Sequence, residues 1–139
     1  MFFSVRAILF LCVDSLIAAG ENCVGGTLTP EVREQIVNFH KEKKRSLEWD
    51  CDLEREADSA FEKLVDGEVD TSKLKVLGRV SDYAHLSSGN ITTDVDKALY
   101  YWSSRNDLES YSNIMNPENM KVGCAYKFFK PLGHLVCIY

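Results

Sequence analysis

The sequence predicts an α+β domain held together by disulfides, and three observations carry that prediction. Apolar residues recur at helical spacing from Val32 onward. The tail from Met120 alternates loosely, turns, and ends in the β-rich run HLVCIY. Four cysteines lie beyond an apolar N-terminus. Helical segments first and a hairpin last point to α+β rather than to alternating strands and helices.

The N-terminus, MFFSVRAILFLCVDSLIAAG, has Arg6, an apolar run from Ala7 to Val13, and the small residues Ala18, Ala19 and Gly20. That is the layout of a secretory signal peptide, with cleavage after Gly20. Asp14 interrupts the pattern. The run is shorter than the roughly 20 apolar residues a bilayer requires, and no later segment approaches that length, so no transmembrane segment is expected. Residues 1–20 are therefore read as the signal, and residues 21–139 as a single secreted, extracellular domain. Its net charge of −5 and lack of a basic stripe argue against nucleic acid as a partner. The run KEKKR at 41–45 reads as the solvated face of a helix.

Removal of Cys12 with the signal leaves Cys23, Cys51, Cys124 and Cys137. An even count in a secreted chain favours disulfides. Four cysteines allow three pairings, and spacing alone does not choose among them. Asn90-Ile91-Thr92 is an N-glycosylation sequon, which places Asn90 on a surface loop.

The elements follow in chain order. The Gly-rich stretch 21–28 is irregular. Thr29 caps a first helix, Pro30 suits its first position, and Glu31 complements the helix dipole. Val32, Ile36, Phe39 and His40 share its apolar face, Arg33, Glu34, Lys41 and Lys44 form its polar face, and it ends near Arg45. LEWDCDLEREA (47–57) opens a second helix capped by Asp50 or Asp52, with Leu53, Ala57, Ala60, Phe61 and Leu64 inward and Gly67 as its stop. Cys51 at a helix start could be a reactive thiol. Glu48, Asp50, Asp52 and Glu54 around it oppose a thiolate, so it reads as an oxidised, structural cysteine. A short strand is expected around Val76 to Ala84. Thr93 with Asp96 resembles a capping box for a third helix bearing Val95, Leu99 and Trp102. The tail forms a hairpin turning over Pro131 to Gly133. Its arms carry Cys124 and Cys137, within bonding reach if the register allows, which by elimination pairs Cys23 with Cys51. Each bridge contributes on the order of 3 kcal/mol in the loop-entropy model.

Reactive constellations are sparse. There is no G-x-S-x-G, and the cysteines are taken by bridges. His40, on an apolar helix face, reads as a packed, hydrogen-bonded histidine, and His85 and His134 as surface histidines without ligand partners. No catalytic residue, metal or cofactor is expected. The aromatic set Tyr100, Tyr101, Trp102, Tyr111, Tyr126, Phe128 and Phe129 divides between core and surface. Alternation puts Phe128 and Phe129 on opposite sheet faces beside Lys127 and Lys130, so one of them is a candidate recognition residue.

A helix with a central histidine, then LEWDCDLEREA, a YW-containing helix, KVGCAY and a closing LVCIY resembles the CAP superfamily of cysteine-rich secretory, antigen 5 and pathogenesis-related proteins. The WDCDLE form is most similar to the nematode activation-associated secreted proteins. The resemblance runs from about Leu28 to Tyr139, in shortened form. It implies an α-β-α sandwich around a small antiparallel sheet, an extracellular role, and a hairpin disulfide matching Cys124–Cys137. It also implies a cleft with two His and two Glu for a divalent cation. Here the matching positions are His40, Arg79, Ser104 and Ser110, so the tetrad is degenerate and the metal site is expected to be lost. The expected function is non-enzymatic binding of extracellular host proteins or cells, as an immunomodulatory or anti-haemostatic parasite product. A sterol or fatty-acid carrier is the alternative, and a vestigial hydrolase a remote one.

Overall fold

The computed structural model describes residues 23–43, 46–62, 64–65, 68–69, 72, 74 and 79–139. The expected signal segment 1–20, Gly67 and Val76 to Gly78 lie outside the described residues.

Helix α1 spans Pro30–Lys43. Thr29 starts it: its Oγ1 accepts from the Val32 N–H at 3.4 Å and its carbonyl from the Arg33 N–H at 3.1 Å. Val32, Ile36, Val37 and His40 are buried on one face, as the periodicity requires. Arg33 departs from the expected polar face. It is buried, and its Nη2 donates to Glu54 Oε1 at 2.5 Å. A buried guanidinium is tolerable only with such a partner, and that partner lies 21 residues away, out of reach of any local pattern.

Strand β1 (Glu48–Trp49) leads into α2 (Cys51–Ser59). Asp50 is the N-cap, accepting from the N–H groups of Asp52 and Leu53. The helix stops at Ser59 instead of continuing to Gly67. The N–H groups of Ala60 and Phe61 turn back to the carbonyls of Ala57 and Asp58, a tighter i→i+3 pattern. This swings Phe61 onto Phe129 and His134, with ring centroids 6.0 and 5.8 Å apart. Leu64, expected on the helix, instead belongs to β2 (Leu64–Val65), paired antiparallel with β3 (Glu68–Val69).

Strand β4 (Val80–Leu86) precedes α3 (Ile91–Ser103). The cap of α3 is Asn90, not Thr93: Asn90 Oδ1 accepts from the Thr93 N–H. Thr93 lies one turn inside, where its N–H is among the donors a cap must satisfy. A further helix, α4 (Leu108–Met115), begins at the cap Asp107. Its buried face includes Ser110 and Asn113, so hydrophobic periodicity does not reveal it. Strands β5 (Lys121–Phe129) and β6 (Leu132–Ile138) form the expected hairpin. Its two-residue turn is Lys130–Pro131, earlier than the expected Pro131 to Gly133, because Gly133 already pairs with Phe128.

The main sheet has the order β1-β5-β6-β4, antiparallel except for the short parallel pairing of β1 with β5. Alternation along the central strands divides the core. Cys124, Tyr126, Leu135 and Cys137 face Ile36, Val95, Leu99, Trp102 and Ile114 of α1, α3 and α4. Ala125, Val136 and Ile138 face Ala57 and Phe61, at α2. Helices on both faces of one sheet give the α-β-α arrangement. Cys124 and Cys137 are directly opposite in the hairpin register and disulfide-bonded. Cys23 is bonded to Cys51, tying the N-terminal segment to the start of α2.

Candidate functional site: a tyrosine-lined groove beside the edge strand

β4 is an edge strand. Side-chain alternation sends Tyr83 and His85 to the same side. The Tyr83 ring stacks on Tyr101 of α3, with centroids 4.1 Å apart and planes 12° from parallel, and on His85 at 5.2 Å and 18°. Such offset-stacked rings contribute about 1 kcal/mol beyond their burial. Alongside this stack runs an open groove of about 720 Å³, lined by Tyr83, His85, Leu86, Lys97, Tyr100 and Tyr101 among others. Tyr100 and Leu86 stand on its rim with 72% and 69% of their surface exposed.

The groove rests on a buried carboxylate. Asp94 is fully buried and accepts from Ser87 Oγ, from the Tyr126 hydroxyl at 2.6 Å, and from Ser88 N–H and Oγ at 2.8 and 2.9 Å. Burial alone pushes its carboxyl upward, but the hydrogen bonds from Ser87, Tyr126 and Ser88 outweigh that and hold it well below the usual carboxylate range. The Tyr126 phenol is pushed up to about 12 by burial and by its bond to Asp94, so it stays a donor. His85 Nε2 lies 3.6 Å from Asp94 Oδ1, too far for a hydrogen bond. Neither ring nitrogen of His85 has a hydrogen-bond partner among the described residues.

Asp94 therefore carries a pH signature. Its folded value is depressed, so its stabilisation is complete above the ordinary carboxylate pKa of about 4. It is lost as pH falls below that value and through the lower folded one. Asp94→Asn is expected to cost about 3 kcal/mol near pH 7, with two donors left poorly paired. The gap to the unsubstituted protein should narrow steadily below about pH 4. Urea unfolding at several pH values measures it; a constant gap would assign the stabilisation elsewhere.

Each of the four tetrad positions has hydrogen-bond partners of its own. His40 is fully buried. Its Nδ1 donates to the Ile36 carbonyl, and its Nε2 accepts from the Tyr139 hydroxyl, each at 2.7 Å. The carbonyl can only accept, which assigns the proton to Nδ1 and commits the Nε2 lone pair to Tyr139. Burial raises the Tyr139 phenol far above its ordinary value, keeping it a donor. Arg79 bonds to Asn119 Oδ1. Ser104 caps α3, its Oγ bonded to the Tyr101 carbonyl and to Asn106. Ser110 is buried and donates to Asp107 at 2.9 Å. Among the described residues no group of three or more His, Cys, Asp or Glu is placed to hold a metal ion.

The histidines expected on the surface are largely covered: the side chains of His85 and His134 are each only 10% exposed. His85 lies against the Tyr83 ring and near Asp94, while His134 sits against Phe61 with Nε2 3.3 Å from Asp82. Phe128 is 52% exposed, whereas Phe129 is half-buried against Phe61 under Lys127. No local sequence pattern marks Tyr83 and Leu86 as groove residues. Edge position is a tertiary property; the alternation of VSDYAHL was the available signal.

Residues 31–139 match the model of the cysteine-rich secretory protein family, CAP. No curated protein matches the sequence. Among solved structures the fold is similar to Na-ASP-1, with TM-score 0.66 and 21% identity over 86% of this chain; that match spans only 38% of Na-ASP-1. It is similar to the Ancylostoma-secreted protein Ac-ASP-7, with TM-score 0.64 and 19% identity over 81% of this chain and 69% of that one. It is also similar to the hookworm platelet inhibitor, with TM-score 0.61 and 20% identity over 86% of this chain and 75% of that one.

Proposed function

Because the chain belongs to the cysteine-rich secretory protein family, CAP, we propose that it is an exported binding protein that recognises an extracellular protein or cell surface through its tyrosine-lined groove and performs no catalysis. The observation that carries this reading is the groove itself: about 720 Å³ of open space with Tyr100 exposed on its rim. A rim side chain borne on a helix loses little freedom on binding, and tyrosine is enriched among residues that dominate interfaces. Phe128 offers a second contact at the hairpin end.

Export is supported by the signal-like residues 1–20 and by two disulfides, which suit an oxidising compartment. The non-catalytic reading is supported by Cys23, Cys51, Cys124 and Cys137 being bridged and by the His40 lone pair being occupied. The fold likeness to a hookworm platelet inhibitor suggests mammalian blood cells as the first targets to try, for an anti-haemostatic or immunomodulatory product.

Labelled protein titrated onto washed platelets and leukocytes should bind saturably. Tyr100→Ala should weaken that binding by about tenfold or more, while Lys41→Ala on α1 leaves it unchanged. Absence of saturable binding to both cell types, or indifference to Tyr100→Ala, would defeat the proposal. A fatty acid or sterol retained in the native mass spectrum would favour the carrier reading instead.

A further inference from the structure

We infer that Asn90 carries an N-linked oligosaccharide rooted at the Thr93 end of the groove, an inference that rests on the export reading above. Asn90-Ile91-Thr92 is the chain's single sequon. Asn90 and Thr92 are both exposed. Asn90 is also the N-cap of α3: its Oδ1 accepts from the Thr93 N–H at 3.3 Å. Because the side-chain amide is planar, an Oδ1 turned toward the helix end leaves Nδ2 on the opposite side. Glycosylation uses Nδ2 alone. A bond forms from Nδ2 to the anomeric carbon of the sugar, Nδ2 gives up one proton, and the sugar–phosphate bond of a lipid pyrophosphate-linked donor breaks, the pyrophosphate leaving with the electron pair. The product is still an amide, so its carbonyl continues to cap α3.

The location gives the sugar a consequence. Thr93 and Leu86 both line the groove, and Asn90 is bonded to the first and four residues from the second. A glycan there stands over exposed Leu86 and keeps that apolar end of the sheet edge solvated. Tyr100 lies further along α3, so a partner enters the groove from the Tyr100 side.

The test expresses the full chain in a eukaryotic secretory host. The expected result is cleaved, secreted protein whose electrophoretic mobility shifts on treatment with peptide-N-glycosidase. The shift should be absent from Asn90→Gln and Thr92→Ala and kept in Thr92→Ser. Thr92→Ala separates the sugar from the cap, since Asn90 remains. Hydroxyl-radical labelling of Leu86 should rise severalfold after enzymatic removal while that of Tyr100 stays constant. Secreted, disulfide-bonded protein with no shift overturns the inference and leaves the export reading standing. Protein retained inside the cell with its N-terminus uncleaved overturns the export reading and the glycan with it. A shift with unchanged Leu86 labelling overturns the placement over the groove.

Discussion

Glu54→Ala is expected to lower folding stability by about 4 kcal/mol, because it removes the carboxylate that balances the buried Arg33 guanidinium. Glu54 is the hub of the segment LEWDCDLEREA. One carboxylate oxygen accepts from Arg33 Nη2 and the other from Trp49 Nε1, each at 2.5 Å. The side chains of Arg33 and Glu54 are 4% and 3% exposed, so both charges depend on protein partners more than on water. The N-terminal segment rests on the same group: Gly26 adopts φ +91°, and a Cβ there would lie 2.0 Å from Glu54 Oε1. Denaturant unfolding of Glu54→Leu, Arg33→Met and their combination separates charge from packing. Each single change should be severe and the double change much milder, since an apolar pair of similar volume leaves no unpaired charge. A double variant as unstable as the sum of the singles would mean that the pair acts through shape alone.

Gly123→Ala is expected to cost about 3 kcal/mol or to prevent folding, by lifting α2 from the sheet. A Cβ at Gly123 would lie 2.1 Å from the Glu54 backbone nitrogen and 2.4 Å from the Leu53 carbonyl carbon. Backbone atoms cannot rotate away as a side chain can, so the helix or the strand must move. Gly89→Ala provides the contrast: φ is +83°, but nothing lies within 4 Å of its Cβ. That variant should lose only about 1 kcal/mol from the left-handed backbone. Near-equal midpoints for the two variants in urea would show that α2 is not pressed against β5 in solution.

Local signals located most of the frame. Thr29-Pro30 opens α1, Asp50 caps α2, and the hairpin bearing Cys124 and Cys137 forms with those residues opposite each other. These features arise from contacts within a few residues or across one tight turn, so their chemistry is written in short stretches. Helix ends were less legible. α2 stops early because Phe61 is pulled into a core supplied by Phe129 and His134, and α4 leaves little apolar periodicity because its inward residues Ser110 and Asn113 are polar. Asn113 spends its amide on the Val80 carbonyl and Ser81 hydroxyl of a strand more than thirty residues away.

The candidate site divides in the same way. By itself the sequence determined the α+β class, the resemblance to the family, the packed and hydrogen-bonded nature of His40, and the opposition of Phe128 and Phe129. Only the tertiary structure decided that Arg33 is buried on Glu54, that β4 lies at an edge, and that Tyr83, His85 and Tyr101 stack beside a groove anchored on Asp94. The physical reason is separation along the chain. Periodicity and capping act over a turn of helix, whereas a buried charge, an edge strand and a ring stack exist only once distant segments meet and water is excluded between them.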